Sequence, residues 1–258
     1  MNKKTLVITG SSDGIGYHLA KTFLEMGHQV VINGRNETKL KDRFNSLKKI
    51  SPQIAISVGD VNDSSTFDLL IKTAVHNFEK IDYWINNAGI PQPYLPVNEL
   101  EENTISGLLK TNLDSLIIGS KKAVNFFLEQ GYGILFNMEG LGSDGRMLNK
   151  LTIYGTSKRA VNYFTKALSK ELAKTCVRVG AINPGMVKTK FLEIDRNFED
   201  EKEKKQYDKV MRILAEDPEK VTKFLAEKIL KSKKQYNKIS YLRGLKLVSK
   251  ISRLILSR

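Results

Sequence analysis

Hydrophobic and polar positions along this chain fall into blocks whose period changes. A β-branched run over residues 5–9 is followed by a polar, glycine-rich turn. After it, Leu19, Ala20, Phe23 and Leu24 share one face at helical spacing. The pattern predicts a strand, a turn and a helix. A second strand is expected over residues 30–33, entered after Gly27, a residue suited to ending a helix. A polar helix follows over residues 37–49, with further strands at 54–58, 81–85, 133–137 and 177–182, each separated from the next by a helical segment. Such alternation calls for parallel strands joined by right-handed crossovers. The expected class is α/β, a Rossmann fold whose doubly wound parallel sheet carries helices on both faces.

With 258 residues, 41% hydrophobic and 27% charged, the chain has enough apolar material for one large core, so residues 1–258 are expected to form a single domain. The pattern changes beyond residue 190. Residues 190–234 are rich in lysine and glutamate, with weak helical periodicity, and read as a substrate lid and partly exposed helices. Phe191, Leu192, Ile194, Phe198, Val210 and Met211 are the apolar residues there that suit a pocket. Residues 241–258 place Leu242, Leu245, Val248, Ile251, Leu254 and Ile255 at helical spacing with Arg243, Lys246, Lys250 and Arg253 between them. That is a basic amphipathic helix, suited to an anionic membrane surface, to the chain's own core or to a partner subunit.

The net charge of +14 raises the question of nucleic acid, but Lys and Arg are densest from about Lys202 onward and no Cys/His or aromatic-interleaved module accompanies them. Diffuse attraction for anions is the expectation, with no specific nucleic-acid partner. The single cysteine, Cys176, excludes an internal disulfide and a cysteine-based zinc site, and is expected to be buried or half-buried. His18, His28 and His76 lack metal-ligand spacing, so no metal is expected, and Trp84 reads as core. No signal-peptide pattern opens the chain, and no apolar run approaches the roughly 18 residues of a membrane span. A reducing, cytoplasmic location follows as the expectation.

The first turn holds the chemistry that composition does not reveal. Gly10, Ser12, Asp13, Gly14, Ile15 and Gly16 lie between a strand and a helix, where glycines admit a pyrophosphate to the backbone and helix N–H groups face its charge. The second strand ends in Asn33-Gly34-Arg35, with no carboxylate to accept ribose hydroxyls and an arginine suited to a 2′-phosphate. NADP is therefore expected over NAD, although Asp13 adds a negative charge at that edge. Tyr154 and Lys158 are four residues apart, on one helical face. A neighbouring ammonium lowers the pKa of a phenol, which makes the tyrosine usable as an acid or base.

The segments TGSSDGIG, NNAG and YGTSK occur in the order and spacing of the short-chain dehydrogenase/reductase family, and the chain resembles that family over about residues 4–189. The resemblance implies an oxidoreductase moving hydride between a nicotinamide and a small-molecule carbonyl or alcohol, with a symmetric homodimer or homotetramer. Residues 9–16 would hold the pyrophosphate, Asp60 and Val61 would meet the adenine, and Asn87, Ala88 and Gly89 the adenosine ribose side. Asn112 matches the helix asparagine that links the lysine to a relay water. Tyr154 would be the general acid in reduction, and Lys158 would bind the nicotinamide ribose. Pro184, Gly185, Val187 and Thr189 match the loop over the nicotinamide.

One departure stands out: the serine that should contact the substrate oxygen is replaced in Asn137-Met138-Glu139-Gly140-Leu141-Gly142-Ser143, its position falling on Gly140 or Leu141. Ser143 is the nearest substitute, the alternative being a simple turn residue. The missing serine also motivates a second functional reading, a dinucleotide-binding regulatory or scaffold protein without chemistry. The FNMEGLGSDGR segment, NPGMVKT and residues 236–242 further resemble the branch that contains the plant chlorophyll b reductases, which implies tolerance of the missing serine and a bulky, lipophilic substrate.

Overall fold

The computed structural model describes residues 3–147, 149–192, 201–242, 250 and 252. Seven strands form one parallel sheet: β1 Thr5–Ile8, β2 Gln29–Gly34, β3 Ile54–Val58, β4 Tyr83–Asn86, β5 Gly133–Met138, β6 Val177–Asn183 and β7 Tyr236–Ser240. Their spatial order is β3-β2-β1-β4-β5-β6-β7, so the chain winds outward in one direction, returns to the centre, and winds out in the other. The reversal lies between β1 and β4, and it leaves a crevice at the carboxyl ends of those strands.

Side-chain alternation divides the core in two. Leu6, Ile8, Val30, Ile32, Ile85, Phe136 and Ile182 face α1 (Gly14–Glu25), α2 (Glu37–Lys48) and α8 (Pro218–Leu230). Val7, Val31, Trp84, Leu135 and Val179 face α3 (Ser65–Phe78), α5 (Ser115–Gln130) and the end of α6 (Thr152–Glu171). Two further helices, α4 (Glu102–Leu109) and α7 (Glu201–Leu214), lie outside these layers. A chain of buried amides crosses the sheet at its centre: Trp84 Nε1 donates to Asn86 Oδ1, Asn86 Nδ2 donates to Asn137 Oδ1 and Ser120 Oγ, and Asn137 Nδ2 donates to Thr165 Oγ1 of α6.

The first five expected strands sit within three residues of their predicted bounds, and the sixth matches to one residue. The tail differs. β7 occupies residues where no strand was expected, and Tyr241 still donates its N–H to Asn183 O, extending the ladder where the amphipathic helix should begin. The rest of that helix lies outside the described residues, except Leu242, Lys250 and Ser252. Lys250 Nζ is 3.0 Å from Glu216 Oε1. α8, expected as a partly exposed element, buries Val221, Leu225, Ala226 and Ile229 completely against α1 and the sheet. Full burial of a large aliphatic side chain contributes about 1.5–3 kcal/mol, which explains why a helix so rich in lysine docks. Cys176 is exposed, not buried, its Sγ lying 3.7 Å from Phe127 O. Among the described residues no helix is long and apolar enough to cross a membrane.

Candidate active site

The crevice at the reversal point opens into a cavity of about 510 Å³. Gly10, Ser12, Asp13, Gly14 and Ile15 line it from the first turn, Arg35 from the end of β2, and Asp60 and Val61 from the end of β3. Asn87, Ala88 and Gly89 line it after β4, Tyr154 and Lys158 from α6, and Pro184, Gly185, Val187 and Thr189 after β6. The turn and β4 are stitched together locally: Thr9 Oγ1 accepts the N–H groups of Asn87 and Ala88, and Asn87 Nδ2 donates to Thr9 O and Gly10 O. Asn33 completes the frame by accepting from Gly10 N and donating to Ser57 O and Gly59 O.

Gly16, Asn112 and Ser143 do not reach the cavity wall, nor do the buried Thr9 and Ser11 of the expected pyrophosphate turn. Gly16 has a packing role, because a Cβ there would lie 2.5 Å from Asn87 Nδ2 and 2.6 Å from Gly10 O. Asn112 is fully buried in a π-helical turn, Lys110–Asp114, and its amide is spent on Ile90, accepting its N–H at 2.7 Å and donating to its carbonyl at 2.9 Å. It stays next to the site, since a Cβ on Gly89 would be 3.1 Å from Asn112 Oδ1 and 3.8 Å from Lys158 Nζ. Ser143 is the substantive correction. It is fully buried, donates to Glu139 Oε2 and accepts from Asn183 Nδ2, both at 3.3 Å, so its hydroxyl is engaged within the protein and not on the cavity wall.

Gly140, one of the two positions on which that serine falls, has no room for a side chain. A Cβ placed there would fall on the Tyr154 hydroxyl, so the tyrosine itself fills the space. Tyr154 is held by its neighbours: its N–H donates to Gln92 Oε1 at 2.8 Å, and its ring lies 5.8 Å from that of Phe191. Gln92 is buried and also donates to Lys150 O, tying the start of α6 to the chain after β4 where no side chain of the helix caps it. Burial raises the Tyr154 phenol above its ordinary value, which corrects the expectation of a lowered one, because Lys158 Nζ points to Met138 O at 3.2 Å and lies 5.8 Å from the tyrosine ring. Burial lowers Lys158 to about 8, with the Glu139 carboxylate opposing the shift.

At the far end, the negative charge of Asp13 is answered within the protein. Burial alone would raise its carboxyl, but Lys39 Nζ at 2.6 Å and the Gly14 N–H at 2.8 Å hold it below the usual value. Lys39 reaches it because Asn36 caps α2 by accepting the Lys39 N–H. Arg43 donates Nε to Ser12 O, and Arg35 lies 3.7 Å from Asp60. Lys39 was missed in the sequence, where only the strand end was read. Leu141, Leu151, Met186, Phe191 and Leu192 give the Tyr154 end an apolar wall. Phe191 and Leu192 were expected there, but Val210 and Met211 do not line the cavity, and Ile194 and Phe198 lie outside the described residues. Among the described residues no cluster could hold a metal ion.

Comparison with known proteins gives a consistent family. The short chain dehydrogenase model matches residues 4–200. The chain is 33% identical over 256 residues to the chloroplastic chlorophyll(ide) b reductase NOL of Arabidopsis thaliana, an alignment covering 95% of this chain and 72% of that one. Among solved structures, the fold is shared with actinorhodin polyketide ketoreductase crystallised with NADPH, at a TM-score of 0.81, 23% identity and coverage of 95% and 98% of the two chains. It is shared also with a 3-ketoacyl-(acyl-carrier-protein) reductase from Brucella melitensis complexed with NADH, at 0.77, 24%, 92% and 96%.

Proposed function

Because the chain belongs to the short-chain dehydrogenase/reductase family of oxidoreductases, we propose that it is an NADP-dependent carbonyl reductase or alcohol dehydrogenase in which Tyr154 handles the proton at the substrate oxygen. The observation that carries this reading is one cavity shared by the glycine turn, the Tyr154 hydroxyl and the Lys158 amine. Its lining suits a phosphorylated dinucleotide. Lys39 and Arg35 line one end with Arg43 bound to Ser12 O beside them, the glycine turn that opens α1 lines the middle, and Tyr154 and Lys158 stand at the other end. A nicotinamide held there would supply or accept the hydride.

The protein's own residues do the rest. Tyr154, neutral because burial raises its phenol, is protonated and ready to donate to a developing alkoxide. Lys158, charged below about pH 8, would hold the ribose hydroxyls and stabilise the phenolate left behind. Asn112 shapes this end by fixing Ile90 against the π turn. Phe191 and Leu192, with Leu141 and Leu151, line the Tyr154 end and favour an apolar substrate. Chlorophyll(ide) b belongs among the substrates tested, since the Arabidopsis relative is named for it.

Exposed Tyr163 on α6 and Leu128 on α5 support self-association through these helices, for which light scattering is the direct measurement. The function itself is tested by NADPH oxidation with ketones, aldehydes and quinones, wild type beside Tyr154→Phe. Turnover that falls at least about 100-fold in the variant supports the proposal. Tight NADPH binding without turnover of any substrate would favour the non-catalytic alternative.

A further inference from the structure

Glu139, at the end of β5, carries a carboxylate with no exposed side-chain surface, a costly placement unless every oxygen is partnered. Each one is. Oε1 accepts from Asn162 Nδ2, one turn beyond Lys158 on the same face of α6. Oε2 accepts from Ser143 Oγ and lies 3.3 Å from Lys238 Nζ of β7. Ser143 in turn accepts from Asn183 Nδ2, and Asn183 Oδ1 accepts the N–H of Gly185 in the loop over the cavity. The carboxylate therefore contacts the α6 row that bears the lysine and the last strand of the sheet, and it reaches the loop after β6 through Ser143 and Asn183.

We propose that Glu139 is a positioning residue, a buried countercharge shared between Lys158 and Lys238 that keeps the Lys158 ammonium charged and in place and fixes the Gly185 loop beside it. This rests on the reductase reading given above. It accounts for two otherwise unexplained features: a buried acid immediately before Gly140, and a lysine on β7 reaching inward from the sheet edge. The charged and titratable groups facing this carboxylate are Lys158 from α6 and Lys238 and Tyr236 from β7, with Tyr154 beside Lys158 and Arg159 donating to Ser143 O. Burial lowers Lys158 to about 8 with Glu139 opposing the shift, and burial pushes Tyr236 up to about 12 with Glu139 adding to the rise.

The test exploits opposite signs. Glu139→Gln removes the negative charge and should lower the Lys158 pKa by about one unit, the low end of the effect of an adjacent opposite charge. Lys238→Gln removes the competing positive charge and should raise it. Titration of the full-length protein labelled with 15Nζ-lysine, with the Lys158 signal identified by its loss in Lys158→Arg, reads this without turnover. The alkaline limb of kcat/KM should follow the same two directions. A role limited to packing would move both variants the same way or neither, and either result overturns the proposal. Should Glu139→Gln fail to fold, Lys238→Gln decides alone, an unchanged or lowered Lys158 pKa being the contrary result. If the NMR shifts appear while no carbonyl is reduced, the reductase reading fails and the electrostatic coupling stands.

Discussion

Placing a serine at Gly140 should damage this protein. Gly140 has no left-handed backbone to protect, so nothing in the main chain forbids a side chain there. The obstacle is Tyr154: an added Cβ overlaps its hydroxyl, with Cζ at 3.3 Å and Lys158 Cγ at 3.4 Å. Heavy atoms in contact prefer about 3.5–4.0 Å, so the hydroxyl must retreat by roughly 1 Å or the β5 end must move instead. Retreat is resisted by the Gln92 bond and the Phe191 ring. A displacement of about 1 Å in a catalytic group lowers turnover on the order of 100-fold, equivalent to about 2.7 kcal/mol in the barrier. Movement of the strand end appears instead as overpacking, about 1–3 kcal/mol of stability. Gly140→Ser and Gly140→Ala should therefore fall together in steady-state NADPH oxidation, with thermal melts separating the two routes. If Gly140→Ser exceeds wild type while Gly140→Ala does not, a missing hydroxyl is what limits the enzyme and the steric reasoning is wrong.

Lys39→Glu should weaken NADPH binding by about tenfold or more while leaving NADH nearly unchanged, as measured by calorimetric titration, since a 2′-phosphate is what distinguishes the two; equal losses would show that Lys39 reads something else. Gln92→Leu leaves the buried Tyr154 N–H unpaired, which costs about 1–3 kcal/mol and should lower Tm by roughly 2–4 °C for each; an unaltered melt would place the start of α6 under other control. Activity should decline as pH rises through about 8, where Lys158 loses its proton. Stability carries the opposite sign for this group: between about 8 and the ordinary lysine value the unfolded chain binds the proton and the folded chain does not, so the Lys158 contribution rises with pH there. Denaturation of wild type against Lys158→Met on either side of pH 8 checks that direction.

The sheet was legible because parallel strands buried on both faces are continuous apolar runs, and the glycine turn because its spacing lies where α/β chains bind nucleotides. β7 escaped notice for a physical reason. Tyr236-Asn237-Lys238-Ile239-Ser240 is an edge strand that shows one fully apolar aliphatic residue, and its pairing is decided by β6 rather than by its own pattern. Ser143 misled because sequence distance says nothing of which way a hydroxyl faces. Glu139 was in view within the departing segment, yet a carboxylate amid glycines reads as a solvated turn until the lysines facing it, 19 and 99 residues further on, are brought to it by the fold.

The amide chain through Trp84, Asn86, Asn137 and Thr165 has a meaning for assembly of the sheet as well as for its finished form. β4 and β5 are otherwise nearly uniform in their apolar character, and such strands can pair in more than one alignment. Sliding either by a residue would strand buried amide groups without partners in a dry interior, whereas the native alignment satisfies them. The asparagines thus act as a key that only one pairing turns.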